Sequence, residues 1–265
     1  MNNIHAPSGT TSAPHASLPH PGEEIVKIGA DTDLVTAIER FAVPAPSAGD
    51  GLLATSAAPR GIDMSTHLAS PPGSDPASTP RHHVDKAVTY ARETLSRRED
   101  FVGAVLLAGR HGELVVYSQW RSQAEPPHVI SPEWSTAPAL SGLVAVDART
   151  FAVDFSAPNA VSAVALSQTP RAHFGVFTVD ATDQQRMLDL ARRHAPNSLG
   201  TPGLIAINFH RSLDGRRVIN LGLWTGFDEF HDLLTRPGFT DGEQYWLDVA
   251  GFRPHYFDVA AVIAA

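Results

Sequence analysis

Residues 202–224 read PGLIAINFHRSLDGRRVINLGLW. Two runs rich in β-formers, Leu204 to Arg211 and Val218 to Trp224, flank the pair Asp214-Gly215. Such a pair between two runs predicts a β-hairpin, because glycine adopts the positive φ of a tight turn without steric cost. Upstream, His173 to Val179 (HFGVFTV) has the composition of a strand. Thr182 to Ala195 places Met187, Leu188, Leu190 and Ala191 on one helical side, with Arg192 and Arg193 in its last turn. Downstream, Phe227 to Thr235 reads as a short helix and Tyr256 to Ile263 as a closing strand. The order is β-α-β-β-α-β, the ferredoxin-like arrangement.

The same order occurs earlier in the chain. Met64 to Ala69 takes the place of the opening strand and Val84 to Ser96 that of the helix. Phe101 to Ala108, the turn His111-Gly112 and Leu114 to Trp120 repeat the hairpin, and Thr150 to Ser156 repeats the last strand. Trp120 and Trp224 are 104 residues apart, and so are Asp154 and Asp258. Two independent landmarks at one spacing point to duplication. The expected fold is α+β: tandem ferredoxin-like repeats over residues 61–160 and 171–265, forming a dimeric α/β-barrel type of architecture within one chain. Two open sheet faces buried against each other leave room for a cavity between sheet and helices.

The rest of the chain constrains function mainly by exclusion. Its 265 residues are 43% apolar and 18% charged, with a formal net charge of −8. That balance gives no general attraction to nucleic acid or to an anionic membrane. The absence of cysteine removes disulfides, thiolate nucleophiles, Cys-ligated zinc and iron–sulfur clusters. No apolar run of about 18 residues exists, and the start lacks the basic and apolar regions of a secretory signal, so a cytoplasmic protein is expected. Residues 1–60 are read as an N-terminal extension, disordered to about residue 22. Within it Leu34, Val35, Ile38 and Phe41 fit a helix capped by Asp31 or Thr32, and fit a strand nearly as well. Ser70 to Pro80 reads as a loop.

Asn220 and Trp224 share strand parity, so both side chains point to one face of the sheet. His210 lies on the neighbouring strand of the hairpin, within expected cross-strand reach. An amide and an indole N–H can hydrogen-bond an oxyanion or a bound peroxide, the indole plane can stack on a flat aromatic, and a neutral histidine can take a phenolic proton. Each has a plainer alternative: Trp224 as a core or rim residue, Asn220 as an edge amide facing water, His210 as surface alternation with Arg211. The first repeat keeps Trp120 but has Val116 four residues before it, and a leucine (Leu106 or Leu107) where His210 would stand. The second repeat is therefore the expected active half. Tyr117 and Trp120 are candidates to line a cavity in the first, and Arg253 and His255 to contact an acidic or phenolic substrate, with capping or ion pairing as their alternative. His82-His83 has no metal-ligand spacing, and no dinucleotide loop or hydrolase elbow occurs.

The stretch Pro202 to Trp224 resembles the hairpin of the antibiotic biosynthesis monooxygenase family, the dimeric α+β barrel proteins. The features are His210-Arg211-Ser212, the turn Asp214-Gly215, and Asn220 with Trp224 four residues on. The likeness runs through the second repeat, is weaker over the first and is absent from residues 1–60. Similar proteins include the anthrone oxygenases of aromatic polyketide pathways and, in tandem form, the oxygenases that open the B ring of angucyclines in jadomycin, gilvocarcin and kinamycin assembly. The resemblance implies an oxygenase acting on a polycyclic phenol or hydroquinone with O2 as co-substrate, with quinone formation or ring opening as the outcome. It implies catalytic roles for Asn220, Trp224 and His210. No metal is implied, and either no cofactor or reduced flavin (FADH2 or FMNH2) from a separate reductase. The partners expected are a small polycyclic aromatic and, on the flavin alternative, that reductase; no nucleic acid or membrane is expected, and a homo-oligomer stays open. Two other readings suit the same barrel: a polyketide cyclase, and a non-catalytic ligand- or haem-binding protein.

Overall fold

Eight antiparallel strands close into a barrel in the computed structural model, which describes residues 20–30, 33–42, 81–109, 112–122, 134–228 and 230–265. In chain order the elements are β1 (Val26–Gly29), β2 (Leu34–Ala42), α1 (Arg81–Glu93), β3 (Phe101–Gly109), β4 (Glu113–Arg121) and β5 (Val144–Ala157). Then come β6 (Val161–Val164), β7 (Arg171–Val179), α2 (Gln184–Ser198), β8 (Leu204–Ser212), β9 (Arg217–Trp224), α3 (Phe230–Leu233) and β10 (Ala250–Ala264). Around the barrel the order is β10-β3-β4-β2-β5-β8-β9-β7, closed by β7 on β10.

That order splits into two equal halves. The first supplies β3-β4-β2-β5 and the second β8-β9-β7-β10, so each half is one ferredoxin-like sheet. The last strand of each half pairs with the hairpin of the other: β5 with β8, and β10 with β3. This reciprocal exchange leaves neither sheet with a fully open edge, the usual route by which antiparallel proteins avoid association through edges. It also explains why the closing strands are longer than their apolar patterns predict. Residues 250–258 of β10 pair with β7 and residues 257–264 with β3, so one strand serves two sheets. Both hairpin turns place glycine at the required positive φ, Gly112 and Gly215 at 75° each.

The tandem architecture expected from the duplication is the observed one, with a correction at its start. The opening strand of the first half is β2, which pairs with β4 and β5 as β7 pairs with β9 and β10. Met64 to Ala69, assigned that place from sequence, lies outside the described residues, as do residues 1–19, Ser70 to Pro80 and His111. The first half thus begins inside the stretch read as an extension. Of the two fits for Leu34 to Phe41, strand is the one adopted. Val35, Ala37 and Phe41 pack toward α1 while Ile38 faces the barrel, and burial on both sides erases the alternation that marks an ordinary strand.

Side chains alternate between two environments. Inward residues such as Ile38, Val105, Phe151, Phe174, Leu221 and Phe257 fill the barrel. One end is stoppered by the β1–β6 ribbon, whose Val26, Ile28 and Val164 join that core. Outward residues meet the helices: Val84, Ala87 and Ala91 of α1 in the first half, Met187, Leu188 and Ala191 of α2 in the second. Met187 and Leu188 are fully buried, each worth about 1.5–3 kcal/mol of apolar burial. No helix among the described residues is long and apolar enough to cross a membrane.

Candidate functional site

Between α2 and the outer face of the second-half sheet lies a small cavity of about 20 Å³, set in a cleft of about 360 Å³ that includes the solvent at its mouth. Its walls are apolar for the most part: Ile207 and Phe209 of β8, Ala191 and Ala195 of α2, and Leu233 with Phe239 from the segment that follows β9. Into this surface β9 projects Asn220, Gly222 and Trp224, and β7 projects His173, which stands directly opposite Gly222 in the ladder. Asn220 Oδ1, Trp224 Nε1 and His173 Nε2 are buried and have no hydrogen-bond partner among the described residues. The Tyr256 hydroxyl, on a ring 5.2 Å from that of His173, shares this condition. A buried polar group left unmatched costs about 1–3 kcal/mol. Several around one cavity mark a surface built to be completed by something bound there.

Burial sets the protonation states. It drives the His173 pKa down to about 3, with a further push from His255, and raises that of Tyr256. At neutral pH the cavity therefore presents a neutral imidazole, an amide and an indole N–H, together with the protonated phenol of Tyr245, whose pKa burial also raises. No Lys, Arg, Asp or Glu lines it. Such a wall takes a flat apolar body and hydrogen-bonds one oxygenated edge of it.

Asn220 and Trp224 come together as their parity requires, but His210 does not join them. The register pairs Asn220 with Phe209 and His210 with Ile219, so His210 faces the opposite side of the sheet. One residue of offset in a ladder reverses the face. His210 is fully buried in the barrel core, with Nε2 3.1 Å from the Tyr117 hydroxyl and Nδ1 3.1 Å from the Asn208 carbonyl. A carbonyl only accepts, so Nδ1 carries the hydrogen and Nε2 accepts from Tyr117. Burial lowers the His210 pKa to about 4, against the opposing pull of the Asn208 carbonyl.

The remaining candidates are dispersed. Tyr117 lies in the barrel core, within 3.5 Å of Thr36 Oγ1 and 3.4 Å of Gln119 Nε2 as well as His210. Trp120 sits under the first-half helix, edge-on to Phe101, and donates to Ser118 Oγ at 2.9 Å. His255 stands at the barrel end away from the ribbon, 3.2 Å from both Glu113 and Arg40. Burial opposes the ionisation of Glu113, but His255 and Arg40 outweigh it and hold its pKa below the usual value. Arg253 is exposed on β10. None of these lines the cavity.

His173 is the residue that sequence reading passed over. It sits in a run of β-formers with an apolar face, and a histidine in such a run needs a polar partner once buried. Only the ladder reveals that it faces Gly222. The same ladder shows how the two halves differ on this face. At the places of His173, Asn220, Gly222 and Trp224 the first half has Ala37, Val116, Ser118 and Trp120. Ala37, Val116 and Trp120 pack with α1 in one apolar cluster.

Cofactor chemistry has little to attach to at this site. With no Lys or Arg in the lining, the phosphate of a reduced flavin has no counter-charge there, and the residues present do not fit a resident flavin. Among the described residues no group of three or more His, Asp or Glu side chains is arranged to hold a metal ion.

A fused ferredoxin-like barrel is a fold shared with solved proteins. Comparison of the sequence with protein-family models and with curated proteins gives no match. The structure is similar to that of an anthrone oxidase-like protein, with a TM-score of 0.61 at 14% identity, over 91% of this chain and 97% of that one. It is also similar to a candidate monooxygenase of Fusobacterium nucleatum, with a TM-score of 0.52 at 8% identity, over 87% of this chain and 94% of that one. At these identities the likeness is one of fold.

Proposed function

We propose that the chain is an oxygenase of the aromatic polyketide type, converting a polycyclic phenolic substrate to a quinone with O2 in the second-half cavity. The observation that carries this reading is the set of unmatched buried polar atoms, Asn220 Oδ1, Trp224 Nε1 and His173 Nε2, on one wall of an otherwise apolar cavity. The fold likeness to an anthrone oxidase-like protein supports it.

The substrate rings lie against Ile207, Phe209, Leu233 and Phe239. A ring carbonyl accepts from the Trp224 N–H, and a phenolic hydroxyl donates to Asn220 or to the neutral His173. Loss of a substrate proton places negative charge on the ring oxygens. Donors already fixed on a largely apolar wall stabilise that charge with little cost of reorganisation. The resulting electron-rich anion reacts with O2. In the overall change a ring methylene carbon loses two hydrogens and gains one oxygen atom, and the second oxygen atom leaves as water. All four electrons taken up by O2 come from the substrate. Ring opening by monooxygenation needs two electrons from outside, so quinone formation is the outcome that suits a cavity with no place for flavin.

The test is incubation of the purified protein with a polycyclic anthrone under air and under argon, with no flavin added. Quinone formation in air and none under argon supports the reading. Turnover under argon excludes O2 as the oxidant and overturns it.

A further inference from the structure

Trp120 and Trp224 occupy matching positions in the two halves, but their indole N–H groups have different fates. In the first half Ser118, two residues back on the same face, accepts from Trp120 Nε1 at 2.9 Å. In the second half the matching residue is Gly222, and Trp224 Nε1 has no partner among the described residues. The indole of Trp224 leans back along its strand over Gly222: a Cβ there would stand 2.9 Å from Nε1, while its next contact, His173 Cβ, would be a comfortable 3.7 Å away. Glycine inside a strand weakens it and is found where something must approach closely. Here the approaching group is the indole itself.

We propose that Gly222 is the specificity-determining residue of the cavity: its missing side chain keeps the Trp224 N–H free to donate to a ligand oxygen, where serine would consume it. The ligand class is a planar aromatic that carries an acceptor, a ring carbonyl or phenolate, on the edge facing β9. The first half is the internal control, with the same strand and tryptophan, a serine in place of the glycine, and Trp120 packed in an apolar cluster with α1. The inference rests on the oxygenase reading only for where the ligand sits, because hydrogen bonding by the indole is read without turnover.

The experiment follows the indole 15N–1H resonances of the full chain, with Trp224 identified by its loss in Trp224→Phe and Trp120 likewise, using 1,8-dihydroxyanthrone as the probe ligand. In the parent, the Trp224 resonance should lie in the range of an unbonded indole and move downfield when the probe saturates. In Gly222→Ser it should already be downfield and stay there, with probe affinity reduced roughly fivefold to tenfold. Should Gly222→Ser not fold, Ser118→Gly is the second arm: the Trp120 resonance should move upfield while probe affinity is unchanged. A bonded Trp224 resonance in the ligand-free parent, no movement on saturation, parent-like affinity in Gly222→Ser, or an unmoved Trp120 resonance in Ser118→Gly overturns the proposal. A parent that binds the probe with the expected shift but never oxidises it removes the oxygenase reading and leaves this one standing.

Discussion

The Tyr117 hydroxyl donates to His210 Nε2 across 3.1 Å, and this bond ties β4 of one half to β8 of the other inside the barrel. His210 passes the connection to its own strand through the Asn208 carbonyl, and Asn208 Oδ1 accepts from Ser156 and Ser162 at 2.8 and 2.7 Å. Gln119, beside Tyr117, donates to the Lys27 carbonyl of the ribbon at 2.8 Å. The histidine that looked catalytic in the sequence is the centre of a buried polar network that holds the halves and the stopper in register.

His210→Phe should therefore cost stability and spare catalysis. Leaving the Tyr117 O–H without its acceptor costs about 1–3 kcal/mol, and each kcal/mol lowers Tm by about 2–4 °C in a chain of this size. Thermal melting and kcat per folded molecule check this. A large loss of kcat with Tm unchanged would place His210 in the reaction.

For Asn220→Ala the opposite split is expected. Its Oδ1 is unmatched in the folded protein, so removing the side chain costs little stability, whereas losing the amide N–H donor at a developing oxyanion costs about 2.7–4 kcal/mol, a rate drop of roughly 100- to 1000-fold. The readouts are kcat, substrate Kd and Tm. Parent-like turnover rules out a catalytic Asn220.

The two matching tryptophans should separate in the same way. Trp224→Phe keeps an aromatic plane and loses a hydrogen bond to a charged oxygen, worth about 1.5–3 kcal/mol, and should slow turnover roughly 10- to 100-fold. Trp120→Phe strands Ser118 Oγ in the first half and should lower Tm with kcat retained. Equal effects of both on kcat would contradict the assignment of one active half.

Acid should destabilise the protein through its buried histidines. Burial holds His173 near pKa 3 and His210 near 4, below the ordinary value near 6.5 that each regains on unfolding. Between about pH 6.5 and 4 the unfolded chain binds protons that the folded chain does not, so stability is full above this window and is lost as pH falls through it. His173→Gln should flatten part of that slope in a series of melts. Within the site, His173 stays neutral throughout the range from pH 5 to 8, so kcat should show no histidine inflection near 6.5.

Much of the fold was legible because its strongest signals are local. The Asp214-Gly215 turn fixes one hairpin and the 104-residue spacing places the other. What escaped depends on contacts distant in sequence. Strand β2 is buried on both faces, because α1 covers one side and the barrel core the other, so its apolar residues suit helix and strand alike. The four-residue strands of the ribbon are too short to show a period. In the site, parity along one strand correctly joined Asn220 to Trp224, whereas His210 and His173 depend on the register between strands. The register of His210 runs unshifted from the Asp214-Gly215 turn through Ala206, whereas that of His173 depends on the pairing of β7 with β9, strands far apart in the sequence.

The most direct test of the central claim is the fate of the two oxygen atoms. The purified protein is incubated with 1,8-dihydroxyanthrone under 18O2, with no flavin and no reductant, and the product and water are analysed by mass spectrometry. An oxygenase whose substrate supplies every electron places one 18O atom in the quinone and the other in water, and Asn220→Ala abolishes the protein-dependent part of that labelling. A quinone without 18O above the protein-free control, or labelling that appears only when reduced flavin is added, would contradict it.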